Sequence, residues 1–380
     1  MSSLGSRVAG ALQRVDKRVV ILVLVLSVLG VLFIMSATGV SGADGESPFW
    51  LRQFRWLLLS ALVLVGVLAV PYQWVVEHAY LFYGLGILSL IAVLFVGRTS
   101  HGSTRWFSLG VMDIQPSEFA KILLILTLAR YIRFRRSQKT IRGLVGPFLL
   151  TTIPMALILL QPDLGTALLM LPILFAMVYV AGARARHLIM IVVLGVGSMV
   201  PVYHWVLKDY QQQRIRVFLG DDSGLTRDER RNLFYHKEQA AIAVGSGGVF
   251  GKGLTTESRV HVPEPETDFI FTVIAERWGF AGALFLFLVQ AGLLLALADL
   301  AVRTREPSGK LLVVGVLALF GGQFIVNVAM TVGLAPITGL TLPFVSYGGS
   351  SFLSSMVAVG CALNVGMRPD FVLARRDFGD

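Results

Sequence analysis

Roughly ten apolar runs, each long enough to enter or cross a bilayer, succeed one another along 380 residues and leave little polar sequence for a water-soluble core. They fall at 18–37, 56–70, 79–96, 116–132, 144–160, 164–180, 188–207, 269–302, 311–333 and 352–365. With 55% hydrophobic and 15% charged residues, the chain is expected to be an all-α polytopic membrane protein of about ten transmembrane helices. Helices follow because a spanning segment must satisfy its own backbone hydrogen bonds in hydrocarbon. The run 269–302 is too long for one perpendicular span. Its first turns, with Glu276 and Arg277, are expected to project above the bilayer or to line a protein-walled cavity. The first run lacks a small-residue cleavage site and reads as an anchoring helix rather than a removed signal peptide.

Lysine and arginine indicate the orientation. About eighteen of the 33 lie on the side of the N-terminus, at 7–18, 130–142, 184–186, 303–310 and 368–376. The short loops of the opposite face hold about four, namely Arg52, Arg55, Arg98 and Arg105. Both termini are therefore expected in the cytoplasm. The segment 208–267, between the seventh and eighth helices, becomes a large extracytoplasmic loop within a single membrane domain, 1–380. The net charge of +10 is then mostly a topology signal plus attraction to anionic lipid, and no nucleic-acid partner is expected. Cys361 is the one cysteine, which excludes an intrachain disulfide and a thiolate metal cluster, and the six histidines form no helical metal-binding motif.

Polar groups that packing does not readily explain gather near the extracytoplasmic ends of the helices. Gly102-Ser103-Thr104-Arg105-Trp106 precedes Gln115-Pro116-Ser117-Glu118 and Lys121, where Pro116 suits a first helical turn. Glu118 and Lys121, three apart, share a helix face. They either neutralise each other or wall a cavity in which Lys121 meets a phosphate. In Gln161-Pro162-Asp163-Leu164-Gly165-Thr166, Asp163 is expected to cap the helix that begins at Leu164. The large loop carries Arg214 and then Gly245-Ser246-Gly247-Gly248-Val249-Phe250-Gly251-Lys252-Gly253. This run could cradle phosphate or simply make tight turns and close helix crossings. It is not a nucleotide P-loop, since Ser246 stands where the first glycine belongs and Gly253 replaces the magnesium-binding hydroxyl. The last outer segment, 333–351, holds Pro336, Pro343 and Ser346-Tyr347-Gly348-Gly349-Ser350-Ser351. Irregular backbone at that depth must be buried in protein or line a wet cavity. Asp268, in Thr267-Asp268-Phe269-Ile270-Phe271, puts a carboxylate where a polar segment enters a long apolar run. There it is either a helix-start residue favoured by the dipole or a functional charge.

In this order the segments resemble the shape, elongation, division and sporulation family of bacterial cell-wall polymerases over nearly the whole chain. The resemblance rests on Gln115-Pro116-Ser117-Glu118 with Lys121, on 161–166, on 245–253, on Pro263-Glu264 ahead of Thr267-Asp268-Phe269, and on 343–350. Asp209-Tyr210-Gln211 with Gln213-Arg214, and 267–271, resemble the elongation-type members more than the division-type. Two places depart from the family pattern. The stretch 220–234 is charged where the family is rich in Asp-Pro and Gly, and Glu266 stands where it often has His, two residues from Asp268.

The resemblance implies a peptidoglycan glycosyltransferase of the bacterial cytoplasmic (inner) membrane that polymerises lipid II on the extracytoplasmic face. It also implies a class B penicillin-binding protein as transpeptidase partner, other elongation-complex proteins as associates, and Asp268 as the essential carboxylate. Because the reaction inverts the anomeric carbon, one general base suffices. Arg105, Lys121 and Arg214, or a divalent cation such as magnesium held with acidic partners, would stabilise departing undecaprenyl pyrophosphate. Trp106, Glu118, Asp163, Lys252, Glu264 and Ser346 are the further candidates for the substrate cavity. A lipid II flippase and a non-catalytic scaffold are the alternatives. No Ser-x-x-Lys transpeptidase set is seen, so crosslinking belongs to another protein.

Overall fold

The computed structural model describes residues 14–39, 47–100, 103–108, 113–133, 137–205, 209–220, 227–254 and 262–368. The helices are α1 Lys17–Thr38, α2 Phe49–Ala69, α3 Tyr72–Glu77, α4 Ala79–Val96, α5 Pro116–Arg133, α6 Ile141–Leu160, α7 Leu164–Val180, α8 Ala185–Gly197, α9 Met199–Trp205, α10 Asp209–Leu219, α11 Arg227–Ser246, α12 Ile270–Arg303, α13 Pro307–Thr331 and α14 Gly349–Met367. Seven of them, α1, α2, α4, α6, α12, α13 and α14, are both long and apolar enough to cross a membrane. The other three apolar runs are α5, which carries Glu118, Lys121, Arg130 and Arg133, the 17-residue α7, and the broken pair α8 and α9.

Local chemistry accounts for several boundaries. Asp163 Oδ1 accepts from the Thr166 amide at 3.1 Å and starts α7, and Glu306 Oε2 accepts from the Gly309 amide at 2.5 Å ahead of Pro307 in α13. At the centre of the bundle, α13 packs on α12, α7, α5 and α14, while α14 lies against α2 and α12 against α1. Phe320 of α13, Phe344 and Phe352 of α14 form a chain of edge-to-face contacts with centroids 5.1 and 6.2 Å apart. By contrast, α8 buries only Leu188 and leaves Ile189, Val193 and Leu194 exposed, as a helix does that turns its apolar side chains to lipid.

Three features differ from a plain reading of hydropathy. First, α4 and α5 are joined by a small antiparallel sheet in the order β1 Arg98–Ser100, β2 Ser103–Ser108, β3 Asp113–Ile114, with Arg98 opposite Trp106 and Ser108 opposite Asp113. Second, the segment 208–267 contains two helices, α10 and α11, and α11 packs on α12. Third, α12 is bent at Gly279 (φ 66°, ψ −160°), and its turns before the bend, including Glu276 and Arg277, are buried in protein. The glycine-rich turn 247–253 wedges into that bend. Phe280 and Ala281 donate their amides to the carbonyls of Gly248 and Val249 at 2.9 and 3.0 Å, and the Lys252 and Gly253 amides donate to Glu276 and Arg277 at 3.0 Å each. A β-carbon on Gly247 would stand 1.9 Å from the Ala275 carbonyl, and one on Gly251 would stand 2.2 Å from that of Arg277. The glycines thus permit a close backbone crossing.

Candidate active site

One end of the bundle opens into a cavity of about 1270 Å³ whose walls come from α2, the sheet, the starts of α5, α7 and α14, the segment 263–269, and the irregular stretch 337–348. The irregular stretch is buried as hydrocarbon requires: Leu340, Leu342, Phe344, Val345 and Ser346 are all nearly inaccessible. Six of the ten sequence candidates line the cavity, namely Asp268, Arg105, Trp106, Glu118, Asp163 and Glu264.

Three hydrogen bonds hold the backbone of Asp268 and of the two residues before it. Tyr347 donates its amide to Glu266 O at 2.8 Å, Ser346 Oγ donates to Thr267 O at 2.6 Å, and Asn327 Nδ2 donates to Asp268 O at 2.9 Å. Ser346 Oγ also accepts from the Leu342 amide at 2.8 Å, so Ser346 pins one strand of chain to another from behind the cavity wall. Gly339 (φ 72°) passes so close that a β-carbon there would stand 3.2 Å from Asp268 Oδ2. Glu266 lies outside the lining and is half-buried. Burial raises its carboxyl above the usual range, and the nearby Glu264 charge adds to this against an opposing backbone hydrogen bond.

Arg105, on β2, reaches across the cavity to the turn between α6 and α7. Its Nε donates to Gln161 O at 2.9 Å and its Nη2 to Pro162 O, while Nη1 stands 3.9 Å from Asp163 Oδ2. Asp163 therefore caps α7 with one oxygen and faces Arg105 and Gln115 Nε2 (3.1 Å) with the other. Ser350, at the start of α14, accepts from the Gln115 amide and donates to Asp113 O, fastening the sheet to the bundle.

The remaining candidates stand apart from the lining. Lys121 is 1% exposed, with Nζ 3.0 Å from each Glu118 oxygen; Ser354 Oγ donates to Glu118 from the other side. The pair neutralises itself, with Glu118 on the cavity wall and Lys121 behind it. Lys252 is ion-paired with Glu276 at 2.8 Å and donates to Ser246 Oγ at 2.7 Å, beside the bend of α12. The Arg214 side chain, residues 221–226 and the side chains of 227–234 lie outside the described residues, although the backbone of Arg214 belongs to α10 and that of 227–234 to α11.

The cavity also gathers residues that sequence reasoning did not single out as a site. Arg52, Arg55 and Arg98 line it together with Arg105, so the four basic residues of the lysine- and arginine-poor face converge on one space. Their signal was present as an exception to the charge rule: a cation on the face that normally lacks cations has a local reason to be there. Arg52 lies 5.3 Å over the Phe49 ring and donates Nε to Ser47 O at 2.8 Å, and Arg55 donates to Ser47 Oγ at 3.0 Å. Opposing the arginines are the carboxylates of Asp113, Glu118, Asp163, Glu264 and Asp268. Among the described residues no three His, Cys, Asp or Glu side chains converge into a metal-binding group, so the donors present do not form a ready cation cage.

Comparison with known proteins adds to this geometry. Residues 17–369 match the family of FtsW, RodA and SpoVE, described as cell cycle proteins. The chain is 35% identical to the probable peptidoglycan glycosyltransferase FtsW of Thiomicrospira cyclica, over 93% of this chain and 92% of that one. It is 30% identical to the peptidoglycan glycosyltransferase RodA of Treponema pallidum, over 93% and 98%. Its fold is similar to the crystal structure of the rod shape determining protein RodA of Thermus thermophilus, with TM-score 0.70 and 30% identity over 94% and 98% of the two chains. It is also similar to a chain of a peptidoglycan synthase complex studied for the coordination of polymerization and crosslinking, with TM-score 0.78 and 32% identity over 94% and 98%.

Proposed function

The chain belongs to the FtsW, RodA and SpoVE family of cell cycle proteins, and from that premise we propose that it is a peptidoglycan glycosyltransferase that polymerises lipid II into glycan strands. The observation that carries this reading is one cavity that joins a held carboxylate, Asp268, to four arginines at the end of a membrane bundle. Asp268 takes the proton from the acceptor 4-hydroxyl as that oxygen attacks the anomeric carbon of the lipid-linked MurNAc. The bond from that carbon to the pyrophosphate oxygen breaks, its electron pair leaves with undecaprenyl pyrophosphate, and the configuration inverts. Arg52, Arg55, Arg98 and Arg105 supply positive charge where negative charge develops on the departing pyrophosphate. The prenyl tail remains in lipid while the sugars occupy the polar space.

The bias of lysine and arginine to the other end of the bundle supports an extracytoplasmic site on a bacterial inner-membrane protein. Similarity to a chain of a peptidoglycan synthase complex supports a class B penicillin-binding protein as the crosslinking partner. Asp209-Tyr210-Gln211 with Gln213-Arg214 supports a role in elongation, within a family whose relatives here carry both the FtsW and the RodA names.

The test is polymerisation of purified lipid II in detergent with the partner bound. Parent protein makes glycan strands without a bilayer, which a flippase cannot do, and Asp268→Asn loses polymerisation while still binding substrate. An Asp268→Asn protein that polymerises at the parent rate overturns the assignment of the base.

A further inference from the structure

We infer that Asn327, buried in α13, is a positioning residue that sets where the Asp268 carboxylate stands. The inference rests on the reading of Asp268 as the base. Asn327 is 0% exposed, and its Nδ2 donates two hydrogen bonds, to Asp268 O at 2.9 Å and to Leu340 O at 2.6 Å. Both partners are carbonyls, which only accept, so the amide group can face them in one orientation alone: NH₂ towards the two carbonyls.

Its place in the fold separates it from the other two ties. Tyr347 and Ser346, which hold Glu266 O and Thr267 O, belong to the same irregular stretch, 337–348, that forms part of the cavity wall. They fix one irregular segment to the other, and Gln53 of α2 donates to Ser346 O at 3.4 Å and accepts from the Gly348 amide at 3.5 Å. Asn327 comes from the central helix, so it ties both segments to the rigid body of the bundle. Its second acceptor, Leu340 O, follows Gly339, the residue whose backbone stands against Asp268 Oδ2. One amide therefore sets the carboxylate's own backbone and the surface against which its side chain rests. A base must stand within hydrogen-bond reach of the proton it removes, and misplacement of about 1 Å costs a reaction on the order of 10²-fold.

The test compares Asn327→Ala and Asn327→Gln with parent protein in the lipid II assay, each also combined with Asp268→Asn. Gln keeps the amide but extends it by one methylene, which separates loss of the hydrogen bonds from their displacement. Asn327→Ala is expected to lower kcat about 10- to 100-fold with KM for lipid II and partner binding little changed. Asn327→Gln is expected to recover thermal stability more fully than kcat. In the Asp268→Asn background neither change lowers the residual rate further, because a misplaced base and an absent one are equivalent. If Asp268→Asn is inactive but both Asn327 variants fold and keep the parent kcat, the positioning role is wrong and the base assignment stands. A further fall of the residual rate in the Asp268→Asn background also overturns it, since Asn327 would then act independently of Asp268. If Asp268→Asn itself keeps the parent rate, both readings fall. Should Asn327→Ala fail to fold, the kcat of Asn327→Gln and its double variant decide by the same criteria.

Discussion

Gly339 passes beside the Asp268 carboxylate with no side chain of its own in the way. A side chain on Gly339 would meet the carboxylate at 3.2 Å and would have to adopt φ 72°, a region that costs an L-residue about 1–2 kcal/mol. Gly339→Ala is therefore expected to lower polymerisation markedly more than it lowers thermal stability, which a rate assay beside a melting curve measures. Arg105 presents the reverse case, where the side chain is the tie. Its fork spans two carbonyls of the 161–163 turn as well as Asp163, a geometry that an ammonium cannot reproduce. Arg105→Lys should therefore behave nearly as badly as Arg105→Ala in the lipid II assay, although it keeps the charge. Glu266 gives a pH prediction. A carboxyl raised on folding binds its proton more tightly in the native protein, so folding is favoured in acid, and that advantage is lost as pH rises through the raised value. Glu266→Gln should melt higher than parent at neutral pH, and the two should converge in acid. The capping role of Asp163 was legible from its neighbours, Pro162 before it and the apolar run that begins at Leu164. The anchoring of Arg105 on Gln161 and Pro162 was not, because residues 56 and 57 positions apart meet only after folding.

Among the elements, α12 shows how a sequence signal is resolved by packing. Its length exceeds one span, and the excess is taken up by a bend at Gly279 against which the turn 247–253 closes. A β-carbon on Gly279 would stand 2.4 Å from the Gly251 amide nitrogen and 2.6 Å from Val249 backbone atoms, none of which is a flexible side chain that could yield. Gly279→Ala should cost about 2–4 kcal/mol through strain and overpacking, seen as a fall in the melting temperature of the detergent-solubilised protein. The glycine density of 245–253 announced close backbone approach but left its object open, phosphate or helix. The helix is what Gly247 and Gly251 touch. Likewise, nothing in the short polar run 98–114 distinguished a loop from the small sheet that carries Arg105 and Trp106. Its strands are two to six residues long, too short for a period to declare itself.

For the whole molecule, the two ends of the bundle differ in chemistry. The far end pairs its charges with one another, Arg133 with Glu306 at 3.2 Å and both Arg18 and Arg303 with Asp299 at 2.6 and 2.8 Å, whereas the cavity end turns four arginines and five carboxylates towards one common space. The native cysteine offers a clean way to check which end faces out. Cys361 is 7% exposed within α14, so parent protein should resist a membrane-impermeant maleimide until it is denatured. Cysteines introduced in place of Thr341 or Ser351 should label from outside intact spheroplasts, and a cysteine in place of Arg303 should label only after permeabilisation. Labelling of the first two only after permeabilisation would invert the orientation.

The succession of apolar runs, their lengths, the charge bias between faces and the order of polar motifs follow from the chain alone, because each depends on local composition and on transfer from water to hydrocarbon. These determined that the protein is a helical membrane protein of one family, and they named the segments among which to look for its site. Only the tertiary structure decided which candidates share a space. It put Asp268 and four arginines around one cavity, Lys121 behind Glu118, Lys252 on Glu276, and Asn327 beneath Asp268. The reason is that a hydrogen bond between residues 59 positions apart leaves no periodic trace in sequence; it exists because α13 runs through the centre of the bundle and meets the segment where α12 begins.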